Sequence, residues 1–296
     1  MNEKLNIGII GFGEAGYEFA KSFHLAGYNI IIYDVLVESQ PDVINEKARN
    51  ISALVAMTIH ELVVKADAIF VFTSSTVCVK IAEVCAESIK NDQFYIDCNS
   101  ASPQTKQKAW EAIHQHPKFV DLAVMGPVPG KGIKVPMSLS GPGASSFQKQ
   151  FENLNQEIKI VDELPGSAAL IKLSRSSFMK GLAALLLETI ALSETNKVTE
   201  AVLDSLVETI GEDFEPLITR LVKGTHQHAT RREKEMEAVI ELQEAVGQQT
   251  LMTEASKQIL HNIANHSSIE NEIMEDLSDY YPHIVKVFHQ NKKSSL

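Results

Sequence analysis

Residues 5–34 read LNIGIIGFGEAGYEFAKSFHLAGYNIIIYD. Leu5 to Ile10 is an apolar run of strand length that ends in Gly11-Phe12-Gly13-Glu14-Ala15-Gly16. A helical pattern follows from Tyr17 to Ala26 and closes at Gly27. Asn29 to Tyr33 is a second buried strand, ending at Asp34. The four pieces make one strand–turn–helix–strand unit of about 30 residues, the building block of a parallel sheet.

The turn has a chemistry of its own. Its first glycine permits a tight bend, its second lets the backbone approach a pyrophosphate, and its third lets helix and strand pack closely. The N–H groups opening the helix then face phosphate oxygens. Asp34 lies 18 residues after Gly16, placed to accept from the adenosine ribose hydroxyls. A carboxylate there repels a 2′-phosphate, so the stretch predicts NAD in preference to NADP. Gly11, Phe12, Gly13, Glu14, Ala15, Gly16 and Asp34 are the expected cofactor contacts.

Downstream the same grammar continues. Ser39 to His60 holds a helix and a short strand. Ala68 to Phe72 reads as a strand, followed by Thr73-Ser74-Ser75 and a helix over Val77–Ile89. Phe94 to Asp97 is the next strand, and Ser102-Pro103 starts a helix running to about His114, with Ser as N-cap and Pro at the first position. Phe119 to Val124, Pro136 to Ser140 and Ile158 to Val161 read as further strands. Strands alternating with helices imply a mainly parallel sheet covered on both sides. Thr73, Ser74, Asn99 and Ser100 stand at strand ends, where open α/β sheets bind ligands. Thr73 and Ser74 are expected near the cofactor and Asn99 near its nicotinamide; turn capping is the alternative role for each.

After Pro165 the periodicity is helical throughout, with breaks expected near Gly211–Pro216, Gly224, Gly247 and Pro282. The sequence therefore divides into an α/β Rossmann-type dinucleotide-binding domain, 1–165, and an all-α domain, 166–296, for substrate and dimerisation. Asn291 to Leu296 reads as a frayed tail.

The all-α part opens with one long apolar helix, Gly166 to Asn196. At 1.5 Å per residue it spans roughly 45 Å. Lys172, Ser176 and Lys180 recur at four-residue steps and share a broad polar face. Two ammonium groups on a buried helix are costly unless something anionic meets them, either carboxylates elsewhere in the fold or a ligand, and a ligand is the expected partner.

The 296-residue length suits two domains. A formal net charge of −11 argues against a general nucleic-acid binder. The first residues, MNEKLNIGII, lack a signal-peptide core, and no membrane span is expected. Cys78, Cys85 and Cys98 lack metal spacing, and free thiols point to the cytoplasm. His226 and His228 bring no third ligand with them, so no metal site is expected.

These residues carry a family resemblance. The chain resembles the β-hydroxyacid dehydrogenase and 6-phosphogluconate dehydrogenase superfamily, specifically a phosphogluconate-dehydrogenase-like branch of mostly unassigned substrate. GFGEAG, Asp97-Cys98-Asn99-Ser100-Ala101-Ser102-Pro103, the loop Asp121 to Pro127 and the Lys172 helix carry the likeness. Lys180-Gly181 and His228 to Met236 mark the branch. The resemblance implies an NAD(P)-dependent oxidoreductase that moves a hydride between the nicotinamide and a carbon bearing a hydroxyl or carbonyl. It implies a small hydroxyacid or phosphorylated sugar acid as substrate, with Lys172 as general acid/base.

Two departures are visible. Ser176 stands where the family has Asn, and Met125 and Pro127 replace a Ser and a Gly of its substrate loop. The Met-bearing loop is also similar to that of imine reductases, and a non-catalytic NAD(H) sensor is the reading from another class. Met125, Gly126, Lys180 and Arg232 are the expected substrate contacts. Arg232 belongs to a charged segment with His226, His228, Arg231 and Glu235, an anion clamp or else a solvated face. The apolar helices of the second domain imply a homodimer.

Overall fold

The computed structural model describes residues 5–266 and 276–289. The expected tail, 291–296, lies outside them. The chain forms two compact units that divide between Lys172 and Leu173.

The first unit is built on eight strands: β1 (Asn6–Ile10), β2 (Asn29–Tyr33), β3 (Leu54–Val55), β4 (Ala68–Val71), β5 (Phe94–Asp97), β6 (Phe119–Val124), β7 (Met137–Ser140) and β8 (Ile158–Asp162). They form one sheet in the order β3-β2-β1-β4-β5-β6-β7-β8. Every neighbouring pair is parallel except β6 with β7. Helices α1 (Glu14–Leu25), α2 (Pro41–Arg49), α3 (Ile59–Lys65), α4 (Cys78–Ala86), α5 (Pro103–Ala112) and α6 (Ala144–Phe151) connect them.

Alternation along the strands feeds two cores. Ile7, Ile9 and Phe70 join Phe19, Phe23, Phe147 and Phe151 on one face. Ile10, Ile69, Val71 and Tyr95 join Leu62, Val63 and Cys85 on the other. Strands buried on both sides read as unbroken apolar runs, the pattern the sequence shows.

Two of these helices escape the sequence reading. In α3, Thr58 Oγ1 accepts from Glu61 N–H at 3.1 Å, and the Glu61 carboxylate accepts from Met57 N–H at 3.0 Å. That Thr-x-x-Glu pattern is a capping signature, so the start of α3 was written in the sequence. The only core residues of α6 are Ala144, Phe147 and Phe151, too few to set a period by themselves.

The second unit is helical throughout its described residues. It comprises most of α7 (Ser167–Thr195), with α8 (Thr199–Ile210), α9 (Phe214–Ala245), α10 (Leu251–His266) and α11 (Tyr281–His289). Ala183, Leu186, Leu187 and Ile190 of α7 meet Leu203, Leu221, Val222, Ile263 and Ile284 in its core. Alone among the described helices, α7 is long and apolar enough to cross a membrane. Its inner face is instead this core, and Lys172, Arg175 and Lys180 punctuate its first half.

The expected break at Gly224 is not there. Gly224 lies inside α9, and the helix bends four residues later at His228, whose φ of −133° and ψ of 25° are not helical. Pro282 falls in the first turn of α11, where a missing N–H leaves no intrahelical bond unmade.

Candidate active site

The glycine turn joins β1 to α1 at the carboxyl edge of the sheet. Gly11 has a φ of +92°, and a Cβ on it would stand 2.3 Å from the Phe72 carbonyl oxygen. A Cβ on Gly16 would stand 2.1 Å from the Gly11 carbonyl oxygen, so helix and turn close on each other there. Gly13 is the opposite case, with nothing within 4 Å of its Cβ position. The outer two glycines shape the turn and the middle one leaves open space over it, the cradle a pyrophosphate needs.

Asp34 buttresses this cradle. One carboxylate oxygen accepts from Phe12 N–H at 2.6 Å, and the other accepts from Leu36 N–H at 3.0 Å. The acid that ends β2 thus holds the turn by its backbone, a contact its spacing did not announce.

The ends of β4 and β5 lie beside this turn in the strand order. Thr73 Oγ1 donates to Asn99 Oδ1 at 3.2 Å, and Ser74 Oγ bonds Thr76 Oγ1 at 2.7 Å. Asn99 is buried, and Asp97 Oδ1 accepts from both its backbone N–H, at 2.9 Å, and its Nδ2, at 2.7 Å. The next residue, Ser100, is exposed, and Lys172 Nζ donates to its Oγ at 2.7 Å. Ser100 is among the strand-end residues the sequence singles out; its contact with Lys172 is what the spacing did not announce.

Met125 and Gly126 open the loop after β6. Met125 N–H donates to the Pro136 carbonyl at 2.8 Å. Farther on, Gly130 N–H donates to Glu18 Oε2 and Ile133 N–H to Ser22 Oγ, each at 3.3 Å. Gly132 takes a φ of +50°, and a Cβ there would lie 1.7 Å from Ser22 Oγ. The loop therefore rides on α1, the helix that opens at the cradle.

In the helical unit, Lys180 pairs with Glu235 and donates to Ser176 Oγ at 3.1 Å. A carboxylate of the same unit thus meets Lys180, one of the two kinds of anionic partner the sequence allows. Arg231 reaches Glu235 at 3.9 Å. Arg232 folds back along α9, donating to Thr225 Oγ1 and, at 3.5 Å, to the Leu221 carbonyl. Its guanidinium fills the space beside Gly224, where a Cβ would come within 2.8 Å of Nη2. Burial lowers its pKa. His226 bonds the Val222 carbonyl and packs its ring edge-on to Tyr280.

Comparison with known proteins accords with this geometry. A conserved protein of unknown function, described as structurally similar to 3-hydroxyacid dehydrogenases, aligns at 28% identity with a TM-score of 0.75, over 88% of this chain and 97% of its own. The 3-hydroxyisobutyrate dehydrogenase of Mycobacterium tuberculosis, solved with L-serine, shares the fold at 13% identity and a TM-score of 0.75, over 97% and 99% of the two chains. The V8 variant of an imine reductase from Myxococcus stipitatus, in complex with NAD+, shares it at 16% identity and a TM-score of 0.60, over 89% and 95%.

The architecture is that of the 3-hydroxyacid dehydrogenase fold, a Rossmann-like nucleotide-binding unit followed by helices. The family model of the NAD binding domain of 6-phosphogluconate dehydrogenase matches residues 6–150, and that of the domain of unknown function DUF1932 matches residues 194–263.

Proposed function

We propose that this protein is an NAD(P)-dependent oxidoreductase acting on a small hydroxy compound, with Lys172 as the proton-transfer group. The observation that carries the reading is the 2.7 Å contact of Lys172 Nζ with Ser100 Oγ. It stands at the end of β5, one strand from β4 and two from the glycine cradle.

Gly11 to Gly16 would hold the pyrophosphate and Asp34 the ribose, with Thr73, Ser74 and Asn99 beyond them. When bound, the nicotinamide dinucleotide supplies the hydride acceptor or donor. Lys172 then takes the hydroxyl proton during oxidation, or returns it during reduction, and Ser100 keeps the amine directed. Met125 and Gly126 would line the substrate. Asp34 favours NAD over NADP, since its carboxylate repels a 2′-phosphate.

Titration with NADH and NADPH, followed by a turnover screen of hydroxyacids, sugar acids, amines and their phosphates, tests the reading. Hydroxy-dependent turnover that disappears in Lys172→Met supports it. Amine-dependent turnover with no alcohol activity selects a C=N reductase, and cofactor binding with no turnover selects a sensor. The three buried free thiols fit a reducing cytoplasm.

The partner in this reading is a second copy of the chain. Phe178, Leu185 and Leu192 are 70%, 56% and 68% exposed and recur every seven residues on α7, with Ile171 one heptad earlier. An antiparallel two-fold pairing of α7 sets Phe178 opposite the partner's Leu185. The same register sets the exposed Arg175 opposite the partner's Glu188. Such self-complementarity is what an isologous interface requires.

A further inference from the structure

Three charges are buried where β5, β6 and α5 meet. Asp97 and Asp121 are register partners on adjacent parallel strands. Lys106 reaches them from α5, its Nζ 3.0 Å from Asp97 Oδ1, 3.1 Å from Asp121 Oδ1 and 2.8 Å from the Asp97 carbonyl. All three side chains are at most 1% exposed. Burial works against the lysine's charge, but the two carboxylates outweigh it and its pKa is raised. The desolvation of each ion costs several kcal/mol even after relaxation, and here one ammonium serves two carboxylates while Asp97 Oδ2 has no hydrogen-bond partner among the described residues, so the cluster depends on Lys106.

The two carboxylates use their oxygens differently. Asp97 Oδ1 holds Asn99 by its backbone N–H and side-chain amide, which fixes the strand end that presents Ser100. Asp121 Oδ2 accepts from Ser140 Oγ at 3.1 Å, from Gly166 N–H at 3.1 Å and from Ala169 N–H at 3.0 Å. Ser140 Oγ in turn accepts from Ala168 N–H at 3.0 Å. These are the otherwise unpaired donors that open α7, and a carboxylate there also suits the helix dipole. Lys172 follows within the next turn. One branch from Lys106 thus ends at Ser100, the other at Lys172, and the branches meet at the 2.7 Å contact between them.

We propose that Lys106 is a positioning residue: as the shared counter-ion of Asp97 and Asp121, it sets the spacing between Ser100 Oγ and Lys172 Nζ. Its functional meaning rests on the reading of Lys172 as the proton-transfer group. Without the ammonium, two carboxylates face each other across neighbouring strands about 4.8 Å apart. Separation of the strand ends, entry of water and uptake of a proton are the available reliefs. Each disturbs a branch.

The test reads Lys172 directly in the full chain, with no substrate. Lysines labelled by reductive methylation with 13C give resolved signals, and Lys172→Arg identifies the one that belongs to Lys172. In Lys106→Met the Lys172 signal should shift, and its titration midpoint should move by about half a pH unit or more, about threefold in proton affinity. NADH affinity, read by fluorescence, should fall by no more than about tenfold, because the pyrophosphate cradle lies outside both branches and only Asn99, expected at the nicotinamide, lies on one.

Removing one member of a buried ionic cluster is destabilising, so Lys106→Met/Asp121→Asn provides a second variant. It removes one charge of each sign and keeps an acceptor for the Gly166 and Ala169 amides. It should move the Lys172 signal as well, whereas Lys65→Met, on the surface of α3, should not. A folded variant of either kind with an unmoved Lys172 signal and titration overturns the proposal. Failure of both to fold overturns it too, in favour of a purely structural cluster. Retained turnover in Lys172→Arg would sink the dehydrogenase chemistry and leave this result untouched.

Discussion

Lys172 and Ser100 lie 72 residues apart in sequence, and the lysine's amine donates to the serine's hydroxyl at 2.7 Å. The amine is thereby aimed at the end of β5. Lys172→Met should lower turnover by about 10²- to 10⁴-fold, the usual worth of a positioned acid or base. Ser100→Ala should cost less, about 10-fold, through the lost charge-assisted bond. Steady-state rates on the substrate found by screening, with NADH affinity as the control, check both; NADH affinity should hold within about threefold.

The glycines of the cradle should separate folding from binding. Gly16→Ala places a methyl 2.1 Å from a backbone oxygen, so it should destabilise by about 1–3 kcal/mol. Gly13→Ala meets nothing in the protein and should change the melting temperature little. Its methyl fills the approach to the phosphates, and NADH affinity should fall about 10-fold or more. Thermal melts with and without NADH distinguish the two.

The α7 stripe should be visible in solution mass. In the proposed pairing Leu185→Glu would bury a charge against the partner's Phe178, and it should convert dimer to monomer in light scattering. Arg175→Glu alone should weaken the dimer, and Arg175→Glu/Glu188→Arg should restore it. A parent chain that is monomeric at tens of micromolar would remove the interface.

Stability should fall on mild acidification. Burial lowers the pKa of both His116 and His226 below the ordinary imidazole value. The unfolded chain takes up protons at both sites as pH drops through about 6.5, while the folded chain resists. Stability contributed by the neutral forms is therefore present above that pH and lost progressively below it. Urea midpoints at pH 7.5, 6.5 and 5.5 measure the slope. His226→Gln should flatten it at some cost at pH 7.5, where its packing on Tyr280 is lost.

Arg232 tests the expected anion clamp. Arg232→Ala should weaken substrate binding and spare cofactor binding if the guanidinium meets substrate. Its contacts with Thr225 and Leu221 predict, in addition, a loss of about 1–3 kcal/mol in stability as a buried hydrogen-bonding group is removed. Unchanged turnover with a lowered melt would leave it as a brace of the bend at His228.

Most of the sheet was legible because strands buried on both faces leave no ambiguity of period. β6 lies over the very residues, Phe119 to Val124, that the apolar run marks. The cradle was legible because its outer two glycines answer to steric limits that no other residue meets, and the middle one leaves the space a phosphate needs. What escaped was long-range. Lys106 sits at a core position of α5, between buried Pro103 and Ala109, and a lysine at that spacing was a signal in itself. Its two carboxylates come from other strands, and sequence separation conceals them. The bend in α9 escaped for the reverse reason: Gly224 suggested a break, but it serves to make room for Arg232.

The amides that open α7 bond to Asp121 and Ser140, and the first compact unit accordingly runs to Lys172. A protease cut or gene split at residue 165 would strip these acceptors of their donors while leaving the sheet whole. Halves rejoined from such a cut would have to re-form that junction before the amine at 172 regained its aim. A split placed near Lys197, in the turn between α7 and α8, keeps the helix with its socket, and would be the place to divide the chain for complementation.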